Sequence, residues 1–117
     1  MTSLKSMEER SRILDRIYEV IEERKAHPRE KSYVSLLLQK GTGDILDKVA
    51  EETGELSAGA LNRDRKQIIH EMADLWFHLL VLLGAFDVSP QEIYKELEKR
   101  WGKSGINEKK ARKKNDK

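Results

Sequence analysis

Glu71-Met72-Ala73-Asp74-Leu75-Trp76-Phe77-His78-Leu79-Leu80-Val81-Leu82-Leu83 decides the fold. Read as the body of a helix from about Arg65 to Ala85, its second half is apolar nearly all round, and such a helix is buried on most sides. A chain of 117 residues forms one domain with a modest core. A single bundle of that size hardly covers this helix, so a homo-oligomer, a dimer, is expected. Asp74 sits inside the apolar run. A lone buried carboxylate is costly, and it either takes up a proton or finds a partner.

Upstream lies a second acidic stretch, Glu51-Glu52-Thr53-Gly54-Glu55, also in a helical context. Residues three and four apart share a helix face, so Glu52 points with Glu55, Glu51 with Glu55, and Glu71 with Asp74. Two such helices side by side gather four or five carboxylates. Like charges at this spacing repel, and a hard divalent cation with oxygen ligands relieves them. A solvated run of glutamates explains Glu51 and Glu52 but not Asp74. The candidate metal ligands are therefore Glu51, Glu52, Glu55, Glu71 and Asp74.

The rest of the chain reads as helix throughout, with no sustained period-two alternation and no hairpin dipeptide. A first helix spans about Ser6 to Lys25 with Ile13, Leu14, Ile17, Tyr18, Val20 and Ile21 on one face, and Pro28 stops it. Ser32 caps a short helix, Tyr33 to Gln39, closed by Gly41, with Leu36, Leu37 and Leu38 buried. Lys40-Gly41-Thr42-Gly43 is then a linker. Its glycines would let backbone N–H groups approach an anion, but a helix stop and turn is the favoured reading. The next helix, about Asp44 to Leu61, buries Ile45, Leu46, Val49, Leu56 and Ala60. Its interior glycines, Gly54 and Gly59, each cost about 1 kcal/mol against alanine, which suggests close approach by a backbone or a ligand. Asn62-Arg63-Asp64 is a tight turn. Ser89-Pro90-Gln91-Glu92 is a helix start with cap, proline and capping box, and the helix carries Val88, Ile93, Tyr94, Leu97 and Trp101 on one side. The expected fold is all-α, a bundle of about five helices assembled as a homodimer.

The formal net charge of +2 comes from the end of the chain. Residues 107–117 hold six basic and two acidic side chains; without them, totals of 23 basic and 21 acidic become 17 and 19. This basic, polar tail is expected to be mobile. It lacks the interleaved aromatics of single-strand binders, so nucleic acid is an unfavoured partner. There is no cysteine, which excludes disulfides and thiolate metal sites. No signal-type apolar stretch opens the chain and no run is read as reaching membrane-spanning length, so the cytoplasm is the expected compartment and no membrane the expected partner.

An all-carboxylate set without cysteine suits Mg²⁺, with Mn²⁺ as the alternative. A di-iron bundle needs Glu-x-x-His pairs, and the residues three before His70 and His78 are Gln67 and Leu75. Magnesium held by carboxylates typically serves phosphate chemistry. Lys48 borders the acidic face, as a phosphate contact or as the i, i+4 partner of Glu52. His78 follows Asp74 by four residues and Glu71 by seven. It either contacts substrate or orients Asp74, while a satisfied core histidine is the plainer and favoured reading.

Lys48-Val49-Ala50-Glu51-Glu52-Thr53-Gly54-Glu55 followed by Glu71 to Leu83 resembles the phosphoribosyl-ATP pyrophosphatase family of histidine biosynthesis. That family lies within the all-α NTP pyrophosphatase (MazG-like) superfamily, marked by E-E-x-x-E and E-x-x-D. Tyr18 to Lys25, Ser32 to Leu37 and Arg100 to Lys109 extend the similarity from about Ile13 to Arg112. The departures are Ala50, where glycine is commoner, Gly54, and the basic extension. The resemblance implies hydrolysis of phosphoribosyl-ATP to phosphoribosyl-AMP and pyrophosphate, the second step of histidine synthesis, by a magnesium-bound water attacking the triphosphate. It implies Glu51, Glu52, Glu55, Glu71 and Asp74 as the catalytic and metal residues, with Lys48 and His78 as substrate-binding candidates. It also implies a dimer of helical bundles, a pyrophosphohydrolase domain over residues 1–106, and a monofunctional chain. Two other readings stay open: a house-cleaning hydrolase of non-standard nucleoside triphosphates, and a non-enzymatic helical interaction module.

Overall fold

Asp64 opens the central helix by accepting a hydrogen bond from the Gln67 backbone N–H at 3.1 Å, a side-chain cap of the kind that satisfies an otherwise unpaired first-turn donor. In the computed structural model, which describes residues 6–102, that helix runs Arg65–Ala85. It is α5 in the order α1 (Met7–Arg10), α2 (Ile13–Ala26), α3 (Tyr33–Lys40), α4 (Thr42–Leu61), α5 and α6 (Pro90–Gly102). No strand occurs among the described residues, so the all-α expectation holds. The tail at 107–117 lies outside them.

The layout follows from α5. It packs most extensively on α4, to which the three-residue turn at 62–64 joins it, and it also touches α2 and α3. The innermost side chains are Ile21, Ile45 and Val81, all fully buried, and each contributes about 1.5–3 kcal/mol by leaving water. Gly84 lets α2 come close: a Cβ there would lie 2.6 Å from Ile21 Cγ2. α6 is held more lightly. Its Tyr94 hydroxyl donates to Asp15 Oδ1 at 2.9 Å, and burial together with that donation pushes the phenol up to about 12.

Several local expectations are corrected. The first helix is broken: the chain turns at Ser11 and Arg12 before α2, and Ser11 donates its hydroxyl to the Glu8 carbonyl at 2.7 Å. The short α1, capped by a Ser6/Glu9 box, buries nothing. Of the three leucines in α3 only Leu37 is buried, while Leu36 is exposed. There is no four-residue linker after α3. Gly41 alone separates α3 from α4, at φ +99°, a conformation that favours glycine, and Gly43 already lies in the first turn of α4. At the start of α6 the Glu92 side chain accepts the Ser89 backbone N–H at 2.8 Å, but Ile93, Leu97 and Trp101 on its apolar side stay exposed.

The seam of α4 keeps Ile45, Val49 and Leu56 of the expected stripe and differs at two places. Leu46 and Ala60 are exposed; Ile45, Glu52 and Gly59 are buried, with Val49 and Leu56 half-buried between them. Positions 45, 49, 52, 56 and 59 form an alternating four-and-three stripe, the coiled-coil-like seam of a helix pair. An acid and a glycine occupy core places on it. At Gly59 a Cβ would meet the Gln67 side chain at 3.0 Å, whereas at Gly54 nothing lies within 4 Å. Close approach therefore accounts for Gly59 and not for Gly54. Gly54→Ala is expected to stabilise the protein by about 1 kcal/mol through helix propensity, and Gly84→Ala to destabilise it by about 1–3 kcal/mol through overpacking against Ile21. Urea unfolding of the two variants reads both signs.

α5 also overturns one exclusion. An 18-residue window in it has mean hydropathy 1.4, so the helix is long and apolar enough to cross a membrane by length and composition. The same helix carries Glu71 and His78, both buried against the bundle, as the core helix of a water-exposed domain can. Only 28% of that window is buried within the chain, and Trp76, Leu79 and Ile69 remain exposed. The expectation of burial on most sides is not met inside one protomer.

Candidate metal centre

Because the α4–α5 turn is short, the helices run antiparallel and their acidic segments face each other. On α4 the seam brings Glu52 inward and leaves Glu51 and Glu55 on its exposed rim; on α5 it brings in Glu71 and His78, with Asp74 half-buried between them. Glu52 and Glu71 are 7% and 8% exposed, which is unusual for glutamate without a partner.

Direct contacts tie the acids together. Glu55 lies close enough to Glu71 to raise its pKa, and His70, Glu71 and Asp74 each offer a ligand atom within 4.8 Å of the others. His70 Nε2 lies 3.3 Å from Asp74 Oδ2. Glu52 feels the charges of Asp74 and Glu51. The structure thus gathers Glu52, Glu55, Glu71 and Asp74 into one patch, with Glu51 at its edge. Burial pushes both Glu52 and Glu71 above the usual carboxylate range; His78 opposes this at Glu52, and Glu55 reinforces it at Glu71.

Two oxygens decide what the patch suits. Glu52 Oε1 and Glu71 Oε1 are buried and have no hydrogen-bond partner. Glu52 Oε1 is 2.6 Å from His78 Nδ1, but the ring N–H at Nδ1 is directed to the Asp74 backbone carbonyl, 2.9 Å away, and leaves the carboxylate oxygen off its axis. Unpaired buried carboxylate oxygens on two facing helices, beside a half-exposed aspartate, fit a hard cation reached from solvent.

Lys48 pairs with Glu51 at 3.6 Å rather than with Glu52. It stays half-exposed and lines a cleft of about 350 Å³ with Tyr33, Leu36, Lys40 and Asp47. His78 is buried, with Nδ1 on Asp74 and Nε2 2.8 Å from the Tyr33 hydroxyl. Both ring nitrogens have partners, which fits the favoured reading of His78 as a core histidine behind the acids. A larger hollow of about 630 Å³ lies between α2 and α3, beside Arg24, Arg29 and Ser35. None of the carboxylates lines it, and Arg24 and Arg29 are both paired with Glu23.

Sequence reasoning missed two residues. His70 enters the patch through its i, i+4 spacing to Asp74, a signal present in the sequence. Tyr33 arrives from α3, some 45 positions away from His78, and no local pattern announces that meeting.

The chain is similar to known proteins along most of its length. The family model for phosphoribosyl-ATP pyrophosphohydrolase matches residues 14–101. The phosphoribosyl-ATP pyrophosphatase of Geobacter metallireducens is 49% identical over 91% of this chain and 97% of its own length. That of Geotalea daltonii is 51% identical over 86% and 94%. A histidine biosynthesis bifunctional protein of Helicobacter hepaticus is 45% identical over 86% of this chain and 44% of its own length.

Proposed function

The chain belongs to the phosphoribosyl-ATP pyrophosphohydrolase family, and from that premise we propose that the acidic patch between α4 and α5 is its reaction centre. The protein is a hydrolase of histidine biosynthesis that acts on the pyrophosphate bond of phosphoribosyl-ATP. Cleavage leaves phosphoribosyl-AMP and releases pyrophosphate. The observation that carries the placement is the pair of buried, unpartnered oxygens, Glu52 Oε1 and Glu71 Oε1. Glu52, Glu71 and Asp74, with Glu55 and Glu51 at the rim, would hold Mg²⁺ or Mn²⁺. Such an ion supplies positive charge for phosphate oxygens and lowers the pKa of water.

The chain's own residues do the positioning. Glu52 and Glu71 fix the inner wall, and their burial keeps competing water away. Lys48, at the edge beside Glu51, offers a cation to the remaining phosphate charge, and its cleft leads away from the acids along α3. The uncovered apolar stripe of α5 supports a homodimer: Ile68, Ile69, Met72, Ala73 and Trp76 line a shallow apolar hollow of about 290 Å³, on a helix that its own protomer buries only in part. The compartment proposed is the cytoplasm.

The test is substrate profiling of the purified chain with Mg²⁺. Pyrophosphate release from phosphoribosyl-ATP should exceed that from free nucleoside triphosphates by at least about 100-fold in kcat/KM, as differential binding of the extra phosphoribosyl group allows. Cleavage of free triphosphates with no action on phosphoribosyl-ATP would instead make this a house-cleaning enzyme.

A further inference from the structure

His78 is an expensive residue for its place. It stands on the most apolar helix, 5% exposed, where leucine would pack at no polar cost. Its two ring nitrogens are instead met by partners on two helices, α5 and α3. The Asp74 carbonyl can only accept, so Nδ1 carries the proton. In the neutral ring Nε2 must then accept, and the Tyr33 hydroxyl, 2.8 Å away, donates to it. This fixes both the tautomer and the plane of the ring. Packing holds the same arrangement: the Tyr33 ring stacks on Phe77 at 6.1 Å between centroids, and the His78 ring stands edge-on to both at 5.7 and 5.1 Å.

The fixed ring faces Glu52. With Nδ1 only 2.6 Å from Oε1 and its N–H already directed to Asp74, the imidazole sets where the carboxylate stops without satisfying it. Glu52 on α4 is thereby held beside the Asp74 backbone on α5, with one oxygen still unpaired. Histidine rings and hydrogen-bonded partners behind carboxylate ligands commonly set ligand orientation in this way.

We propose that Tyr33 and His78 form a brace that positions Glu52 for cation binding, Tyr33 locking the ring and the Nδ1 edge of His78 locating the carboxylate. The inference rests on the reading of Glu52 as a metal ligand. Neither braced residue touches substrate; both are positioning residues.

The full chain is titrated with Mn²⁺ alone by calorimetry, and kcat and KM are measured alongside. Glu52→Gln tests the metal reading by itself: unchanged Mn²⁺ affinity there sinks that reading, whatever the other variants do. The two histidine variants test the brace. In His78→Asn the amide nitrogen falls near the Nδ1 position; in His78→Gln it falls near Nε2. His78→Gln is expected to weaken Mn²⁺ binding by about 10- to 100-fold and to lower kcat more than it raises KM, while His78→Asn recovers most of the loss. A purely structural histidine predicts no such ordering, so equal Mn²⁺ affinities in the two variants overturn the brace. Tyr33→Phe removes one hydroxyl from a half-exposed ring and guards against misfolding of the histidine variants. It should weaken Mn²⁺ binding severalfold at an unchanged melting temperature, and an unchanged affinity overturns the tyrosine's part.

Discussion

Glu52→Gln should lower kcat/KM for phosphoribosyl-ATP by about 100- to 1,000-fold, the usual cost of removing one preorganised electrostatic group from a reaction centre, and Glu71→Gln should do the same. Both changes should also raise the melting temperature of the ion-free protein. The reason is burial: water is withheld from each carboxylate, and an amide of the same shape loses less on entering the fold. Magnesium reverses the order. At an ion concentration 100 times its Kd, the parent protein gains about 2.7 kcal/mol by linkage, and the variants gain less. Thermal unfolding with and without Mg²⁺ separates these effects. Full pyrophosphate release by both Glu52→Gln and Asp74→Asn would remove the carboxylates from the reaction.

Trp76→Ala should dissociate the proposed homodimer. Trp76 is half-exposed in the protomer, at one end of the apolar hollow on α5, so its truncation leaves the bundle's own core nearly intact. Tryptophan anchors at interfaces typically cost about 2–4 kcal/mol when truncated, which is about 30- to 700-fold in dimer Kd. Sedimentation equilibrium at micromolar and sub-micromolar concentrations reads the shift. A parent chain that is monomeric throughout, or a variant with an unaltered Kd, places the partner of this stripe elsewhere.

Much of the fold was legible because its boundaries carry local chemistry. Ser32 and Gly41 mark the ends of α3 by a side-chain cap and a glycine conformation, and the turn at 62–64 marks the start of α5. The break at Ser11 was not legible, since residues 6–12 carry a single apolar side chain and so no periodicity that could mark a boundary. The α4 seam was read correctly at Ile45, Val49 and Leu56 and wrongly at two places, for a physical reason. Reading apolar residues as core selects Leu46 and Ala60, but the true seam passes through Glu52 and Gly59, which hydropathy rejects. The five acids were legible as a patch from spacing alone. Which of them sit inside was not, because that depends on how α4 and α5 interlock. The His78–Tyr33 contact joins helices distant in sequence and only the fold reveals it.

The solitary glycine between α3 and α4 gives the molecule a pivot. α3 has 8 residues and so extends about 12 Å at 1.5 Å per residue. Tyr33 stands at its far end, and the angle of the rod is set by the core packing of Val34 and Leu37 together with the backbone turn at Gly41. A swing of about 10° there would carry the tyrosine hydroxyl through about 2 Å by simple leverage, enough to part it from His78. A substitution at Gly41, eight residues from Tyr33 and outside the acidic patch, would therefore be felt at the proposed cation site.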